Sequence, residues 1–208
     1  MPYKVLDSNL RSCHGGEAQW VVGERQSVTG DLVPCKYGLH VCRDERDLLS
    51  WIGDVICPCE HSEEYIDHDN KRVVRWACID EPNPYWNERS ARHFACDCAE
   101  YALPYAQDDQ CELLQAVVDI ARAYADWPEE WAGERKAAWA AAGAAGDTAW
   151  AAARAAWAAA WAAGATALAA AWAARTAAWA AGAAARDDLA AILATYLDGT
   201  NEWIVKEE

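Results

Sequence analysis

An 11-residue repeat constrains this chain more than any other feature. Trp139, Trp150, Trp161 and Trp172 stand 11 apart, and Trp157, Leu168 and Trp179 form a second series of the same period. Eleven residues make three turns of about 3.67 residues, so each series runs nearly straight along a helix and the two lie close together on one face. Between Ala137 and Ala185, 32 of 49 residues are Ala, and the only charges are Asp147, Arg154 and Arg175. Propensity alone therefore makes the stretch helical. Gly146, Gly164 and Gly182 recur every 18 residues, and Asp147 or Thr148 and Thr166 follow the first two as N-caps. This spacing predicts turns near 146, 164 and 182 joining antiparallel helices that pack through Ala surfaces. Eighteen residues are also five full turns, so a single rod with its glycines on one face is the alternative. The bundle is preferred because a lone rod with Ala on all sides has little to bury. Residues 155–174 carry no charge, but only Leu168 among them promotes membrane insertion strongly, so the segment is not read as a span.

The acidity lies outside this segment. The 208 residues carry a formal charge of −15, and residues 1–136 hold 26 Asp plus Glu against 14 Lys plus Arg. Such a balance repels phosphate backbones, which argues against a nucleic-acid ligand and for a basic protein partner. The N-terminal residues lack the apolar run of a signal peptide, and the chain is read as cytoplasmic. Its nine cysteines are then free thiols or metal ligands rather than disulfides.

Residues 1–82 read as a small mixed α/β module. Tyr3–Leu6, Gln19–Val22, Leu39–Cys42, Asp54–Cys59 and Val73–Ile79 are short runs rich in Val, Ile, Trp and Cys between Gly, Pro and Asp, which are strand signals. Asp44–Ile52 has helical spacing of Leu48, Leu49 and Ile52, with Asp44 as N-cap and Gly53 as a stop. From Asn87 the pattern is helical, with a break at Pro104, a helix over 108–126 and Pro128 in the first turn of the next. The predicted fold class is α+β: the α/β module, then an Ala/Trp-rich antiparallel helical bundle over 83–208.

Four groups of residues are candidates for function. His40 and Cys42 alternate along a strand so that their side chains share a face, and with Cys35 and Cys13 they form a candidate zinc set. The alternative is cysteine packed as a small hydrophobe. His14 before Gly15-Gly16, with Gly38-Leu39-His40 downstream, resembles the His-Gly and Gly-aromatic elements with which ADP-ribosyltransferases hold nicotinamide. His14 and His40 are thus candidate ligand residues, with a tight turn at Gly15-Gly16 as the competing reading. Trp150, Arg154, Trp157 and Trp161 form one helical stripe and Trp172, Arg175 and Trp179 another. Trp and Arg are residues of binding hot spots. The same stripe can equally be core, each Arg meeting a carboxylate such as Asp119 or Glu112. Finally Asp44, Glu45 and Asp47, with Glu63, Glu64, Asp67 and Asp69, could present carboxylates to a basic protein by electrostatic steering, or be solvated loops and helix faces.

Ser12 to Gly16 (SCHGG) with Leu32 to Trp51 (LVPCKYGLHVCRDERDLLSW) resembles a domain of unknown function found in bacteriophage and prophage proteins. Trp86 to Pro104 (WNERSARHFACDCAEYALP), with Val117 to Ala125 and the Ala-rich tail, is similar to a helical family of immunity proteins associated with polymorphic toxins. The Asp-Arg-Pro-type turn of that family reads here Asp108-Asp109-Gln110-Cys111. The resemblance implies a conflict protein that binds and blocks a partner, as an immunity or counter-defence factor, with no catalytic residues. A nucleotide-binding N-terminal module and a structural phage component with an oligomerising Ala/Trp helix are the alternatives.

Overall fold

A computed structural model describes residues 1–13, 16, 18–105, 111–145 and 185–205. It is an α+β protein that divides between Trp86 and Asn87 into two compact units.

Unit 1 is built from two antiparallel sheets. Strands β1 (Tyr3–Leu6), β4 (Val55–His61), β7 (Trp76–Ile79) and β2 (Arg25–Ser27) form one, in the order β1-β4-β7-β2. Strands β3 (Leu39–Val41), β6 (Lys71–Val74) and β5 (Tyr65–His68) form the other, in the order β3-β6-β5. Val73–Ile79, predicted as one strand, is two. The chain leaves the second sheet after Val74 and enters the first at Trp76. Ser62 Oγ caps the crossing by accepting from the backbone N–H of Arg75 at 2.9 Å. Gln19–Val22 is not a strand but a loop, with a single bridge from Gln19 to Arg11. Two strands without strong apolar alternation, β2 and β5, were not predicted. β5 and β6 pair through a two-residue loop, Asp69-Asn70, in which Asp69 takes φ +50°. The core gathers Leu6, Trp20, Val41, Cys57, Cys59, Val74, Ala77 and Ile79 from both sheets and the loop.

Helix α1 is shorter than predicted, Glu45–Leu48, followed by a tight turn in which Ser50 and Trp51 donate to the carbonyls three residues back. Its N-cap is Asp44, in extended conformation, whose carboxylate accepts from Asp47 N at 3.1 Å. Gly53, beyond it, is buried under β1. A Cβ there would come within 2.5 Å of Val5 Cγ1.

Unit 2 is helical where it is described: α2 (Glu88–Ala102), a 3-10 turn at Leu103–Tyr105, α3 (Cys111–Asp126), α4 (Ala132–Ala145), α5 (Ala185–Leu197) and a short α6 (Glu202–Val205). Asn87 and Ser90 close a reciprocal capping box at the start of α2. Pro128 lies in the turn between α3 and α4, four residues before the helix it was predicted to open. The predicted turns near 146, 164 and 182, and the choice between bundle and rod, lie outside the described residues.

Side-chain pairs fix the packing direction. Arg89, at the start of α2, meets Asp126 at the end of α3, and Glu100, near the end of α2, meets Gln115. Helices α2 and α3 are therefore antiparallel. Tyr101 pairs with Asp188, Asp97 with Tyr196 and Arg89 with the carbonyl of Trp203, so α5 also runs against α2. The faces they bury carry Phe94, Ala95, Cys98, Ala99, Leu114, Val118, Ala121, Leu189 and Leu193.

Within this core His93 donates from Nε2 to Asp126 Oδ1 at 2.8 Å and stacks on Trp203 with 4.8 Å between ring centroids. Its Nδ1 is buried without a hydrogen-bond partner. A proton added there would create a buried N–H with no acceptor, so burial outweighs Asp126 and holds His93 down at about 4. The unfolded chain, with an ordinary imidazole, binds that proton more readily. The stability contributed by neutral His93 is present above about pH 6.5 and is lost as pH falls towards 4. Denaturant melts between pH 7 and 4.5 should show this loss, and His93→Gln should lower stability at pH 7 while flattening the slope.

Candidate functional site

Unit 1 contains a cleft of about 400 Å³, walled by β1, by Ser12, Cys13, Gly16, Ala18 and Trp20, by the turn before β3, β3 itself, Trp51 and the first residue of β6. Its shape depends on backbone that few side chains would permit. Gly38 has φ +133°, and a Cβ on it would stand 2.3 Å from Val73 Cγ1. Cys35, in the turn closed by mutual hydrogen bonds between Val33 and Tyr37, takes φ +61°, a left-handed conformation uncommon for a residue with a side chain.

Lys4 is the central residue. It occupies the second position of β1, in which all four residues are buried, and is itself only 8% exposed. Its Nζ donates to the backbone carbonyl of His40 at 2.9 Å and lies 4.9 Å from the ring centroid of Trp20. Among the described residues no carboxylate pairs with it. Burial pulls its ammonium below the ordinary lysine range, and the nearby thiols of Cys42, Cys13 and Cys59 oppose this only in part. Trp20 is fixed in turn by donating from Nε1 to Ser12 Oγ at 3.0 Å. Across the cleft, Lys71 Nζ lies 4.7 Å over the ring of Trp51, whose Nε1 donates to the carbonyl of Asn70 at 2.9 Å.

His40 lines the same cleft, and its Nε2 is buried with no hydrogen-bond partner. Burial, with the positive charges of Lys71 and Lys4, holds this imidazole down at about 4. It is neutral near pH 7 and offers an uncommitted ring nitrogen.

The sequence-derived metal set meets a different outcome. Cys13, Cys35, His40 and Cys42 all line the cleft, yet among the described residues no three His, Cys, Asp or Glu side chains converge to hold a metal ion. The zinc assignment is therefore corrected: these residues are walls of a cleft. His14 lies outside the described residues, so of the two candidate ligand residues only His40 is placed.

The acidic residues are largely engaged with the protein's own cations and donors. Asp47 is 3% exposed, and its carboxylate accepts from Arg43 N, Nε and Nη2 at 2.7 to 2.9 Å. Its assignment to a partner-facing surface is corrected on that ground. Glu45 accepts from Tyr3 Oη at 2.6 Å. Asp67 pairs with Arg72 and Glu64 with Arg75, and the hydrogen bonds from those guanidiniums hold both carboxyls below their usual range. Asp69 lies 3.3 Å from His68 Nδ1, while Asp44, Glu63 and Asp69 are exposed. The stripe of Trp150, Arg154, Trp157, Trp161, Trp172, Arg175 and Trp179 lies outside the described residues.

Lys4, Lys71, Trp20 and Trp51 were not singled out from sequence. A signal was there: a lysine inside the otherwise apolar strand Tyr3–Leu6, in a chain with only five lysines. Compared with family models, with curated proteins and with solved structures, the chain matches none. Among the described residues no helix is long and apolar enough to cross a membrane.

Arg43 and Asp47 tie the backbone before α1 to its first turn. Asp47→Ala would leave a partly buried guanidinium and a backbone N–H without their acceptor, at a cost of about 2–3 kcal/mol. Equilibrium denaturation should register this, whereas exposed Glu63→Ala should stay within about 0.5 kcal/mol of the parent.

Proposed function

We propose that unit 1 is a binding module whose cleft takes a small organic anion. One observation carries this reading. Three of the chain's five lysines, Lys4, Lys36 and Lys71, line this cleft, and no acidic side chain is among its described lining residues. The surrounding unit is acidic, with 15 Asp plus Glu against 9 Lys plus Arg in residues 1–86. Cations gathered against that background select for negative charge. Lys4 adds a specific demand, because a buried ammonium without a counter-ion is costly and a bound carboxylate or phosphate supplies what is missing. The uncommitted Nε2 of His40 and the indoles of Trp20 and Trp51 suit the uncharged part of such a ligand. This develops the nucleotide-binding reading of the sequence without assigning a reaction.

Isothermal titration of the full chain with AMP, nicotinamide mononucleotide and citrate tests it. At least one should bind, more weakly as salt rises, and Lys71→Met should weaken that binding about tenfold. Absence of heat from all three, with an unchanged melting temperature, would sink the reading.

A second reading, a non-catalytic immunity or counter-defence factor that binds a basic protein, draws support from the net charge of −15 and from exposed Asp44, Glu63 and Asp69. Capture of a single stoichiometric partner that is released by salt, and lost in a Glu63→Lys, Asp69→Lys variant, is what it requires.

A further inference from the structure

We propose that Lys4 is a nucleophilic amine that joins covalently, as an imine, to a carbonyl-bearing anion held in the unit 1 cleft. The inference rests on the anion-binding reading and goes beyond it, since electrostatic capture needs no bond.

The argument begins with what surrounds Nζ. Lysine buried for structure is normally met by a carboxylate. Here the described partners are a backbone carbonyl and the face of Trp20. The titratable groups nearest in charge are thiols, and burial keeps those of Cys42, Cys13 and Cys59 in the neutral form, the last pushed up to about 12. Among the described residues no carboxylate meets the ammonium, and Lys71 lines the same cleft. Desolvation of this kind activates lysines for Schiff-base chemistry in general. A depressed ammonium is consistent with it, and each unit of depression raises the free-amine fraction at neutral pH about tenfold. A neutral amine can still donate an N–H to the His40 carbonyl, which orients its lone pair away from that contact.

The step balances without a further reagent. The Nζ lone pair adds to the carbonyl carbon, and the carbonyl oxygen takes the two hydrogens that Nζ gives up and departs as water. A C=N bond replaces the C=O bond, with no oxidation or reduction. Protonation of the imine restores the positive charge at Nζ, so the adduct still meets the ligand's anionic group as Lys4 itself would. Lys36 and Lys71 supply the remaining charge. The ligand class is thus a compact aldehyde or ketone bearing a phosphate or carboxylate.

Pyridoxal 5′-phosphate, an aldehyde with a phosphate, is a suitable probe, and pyridoxine 5′-phosphate is the matched compound without the carbonyl. The full chain is incubated with one equivalent of the aldehyde, reduced with borohydride, digested and mapped by mass spectrometry. The reduced adduct is expected on Lys4, with labelling about tenfold above that of exposed Lys136, and suppressed by excess pyridoxine 5′-phosphate. Lys4→Arg, which keeps a positive charge but offers no amine, should abolish the imine absorbance. If pyridoxine 5′-phosphate binds but the label falls on Lys36 or Lys71 and spares Lys4, the covalent proposal is overturned and the anion-binding reading stands. If neither compound binds and the label spreads over exposed amines, both fall. The map is made on the parent chain, so a variant that fails to fold leaves the decision intact.

Discussion

The burial of Lys4 organises unit 1. A strand buried along its whole length, paired on one edge with β4, leaves its second side chain nowhere to reach bulk water. That side chain is a lysine, and three features of the fold arrange themselves about it. The loop carrying Trp20 packs an indole against Nζ, and Ser12 holds that indole by its N–H. Strand β3 turns the His40 carbonyl towards it. Gly38, which no residue with a Cβ could replace without striking Val73, lets β3 lie close enough to β6 to bring Lys71 to the same space. A charge placed in so apolar a strand would be a defect if nothing met it. The cleft beside it, and the lysines that share that cleft, make it a site.

Arginine and lysine are used differently here. Arg43, Arg72 and Arg75 each hold a carboxylate of unit 1, at Asp47, Asp67 and Glu64, and the planar guanidinium suits that two-point contact. None of the three lysines of the unit appears in such a pair among the described residues; Lys4 and Lys71 lie over indoles instead. The net charge of a protein therefore says little about a given surface. Thirty-three acidic residues suggested a carboxylate-rich contact face, yet much of the acidic character in unit 1 is spent internally, and the cleft has the opposite sign.

How much of this was legible follows from the range of the interactions. The α+β class, strands β1, β3 and β4, the N-cap at Asp44 and the start of α2 at Asn87 are local in origin, set by alternation, caps and breaks within a few residues. Strand β5 was hidden because its four residues, Tyr65–His68, follow two glutamates and are mostly exposed, with no apolar alternation; pairing with β6 makes it a strand. The switch of sheets at Arg75 was hidden because an apolar run carries no mark of which sheet it joins. For the site, Cys35 stands in the turn before β3 rather than in the strand, and spacing does not say whether ligands meet at a point; among the described residues they do not. Lys4 and Lys71 are 67 positions apart, and only the tertiary fold makes them neighbours of one cavity.

The histidines of the two units show why burial alone does not define a site. His93 and His40 are both held down to about 4, and each has one buried ring nitrogen without a partner. In unit 2 the other nitrogen of His93 is bound to Asp126, a tryptophan covers the ring, and Arg89 and Arg122 complete a network closed on Asp97, Asp126 and Tyr196. Every charge in that cluster has an opposite within the helices, which is what a core requires. In unit 1 His40 lines a cleft, and the ammonium of Lys4 beside it has no carboxylate partner among the described residues. The same perturbation of a titratable group is structural where the network is complete. Where a counter-charge is missing beside a cavity of adequate size, the perturbation marks a candidate binding site, which is the basis of the proposal for the unit 1 cleft.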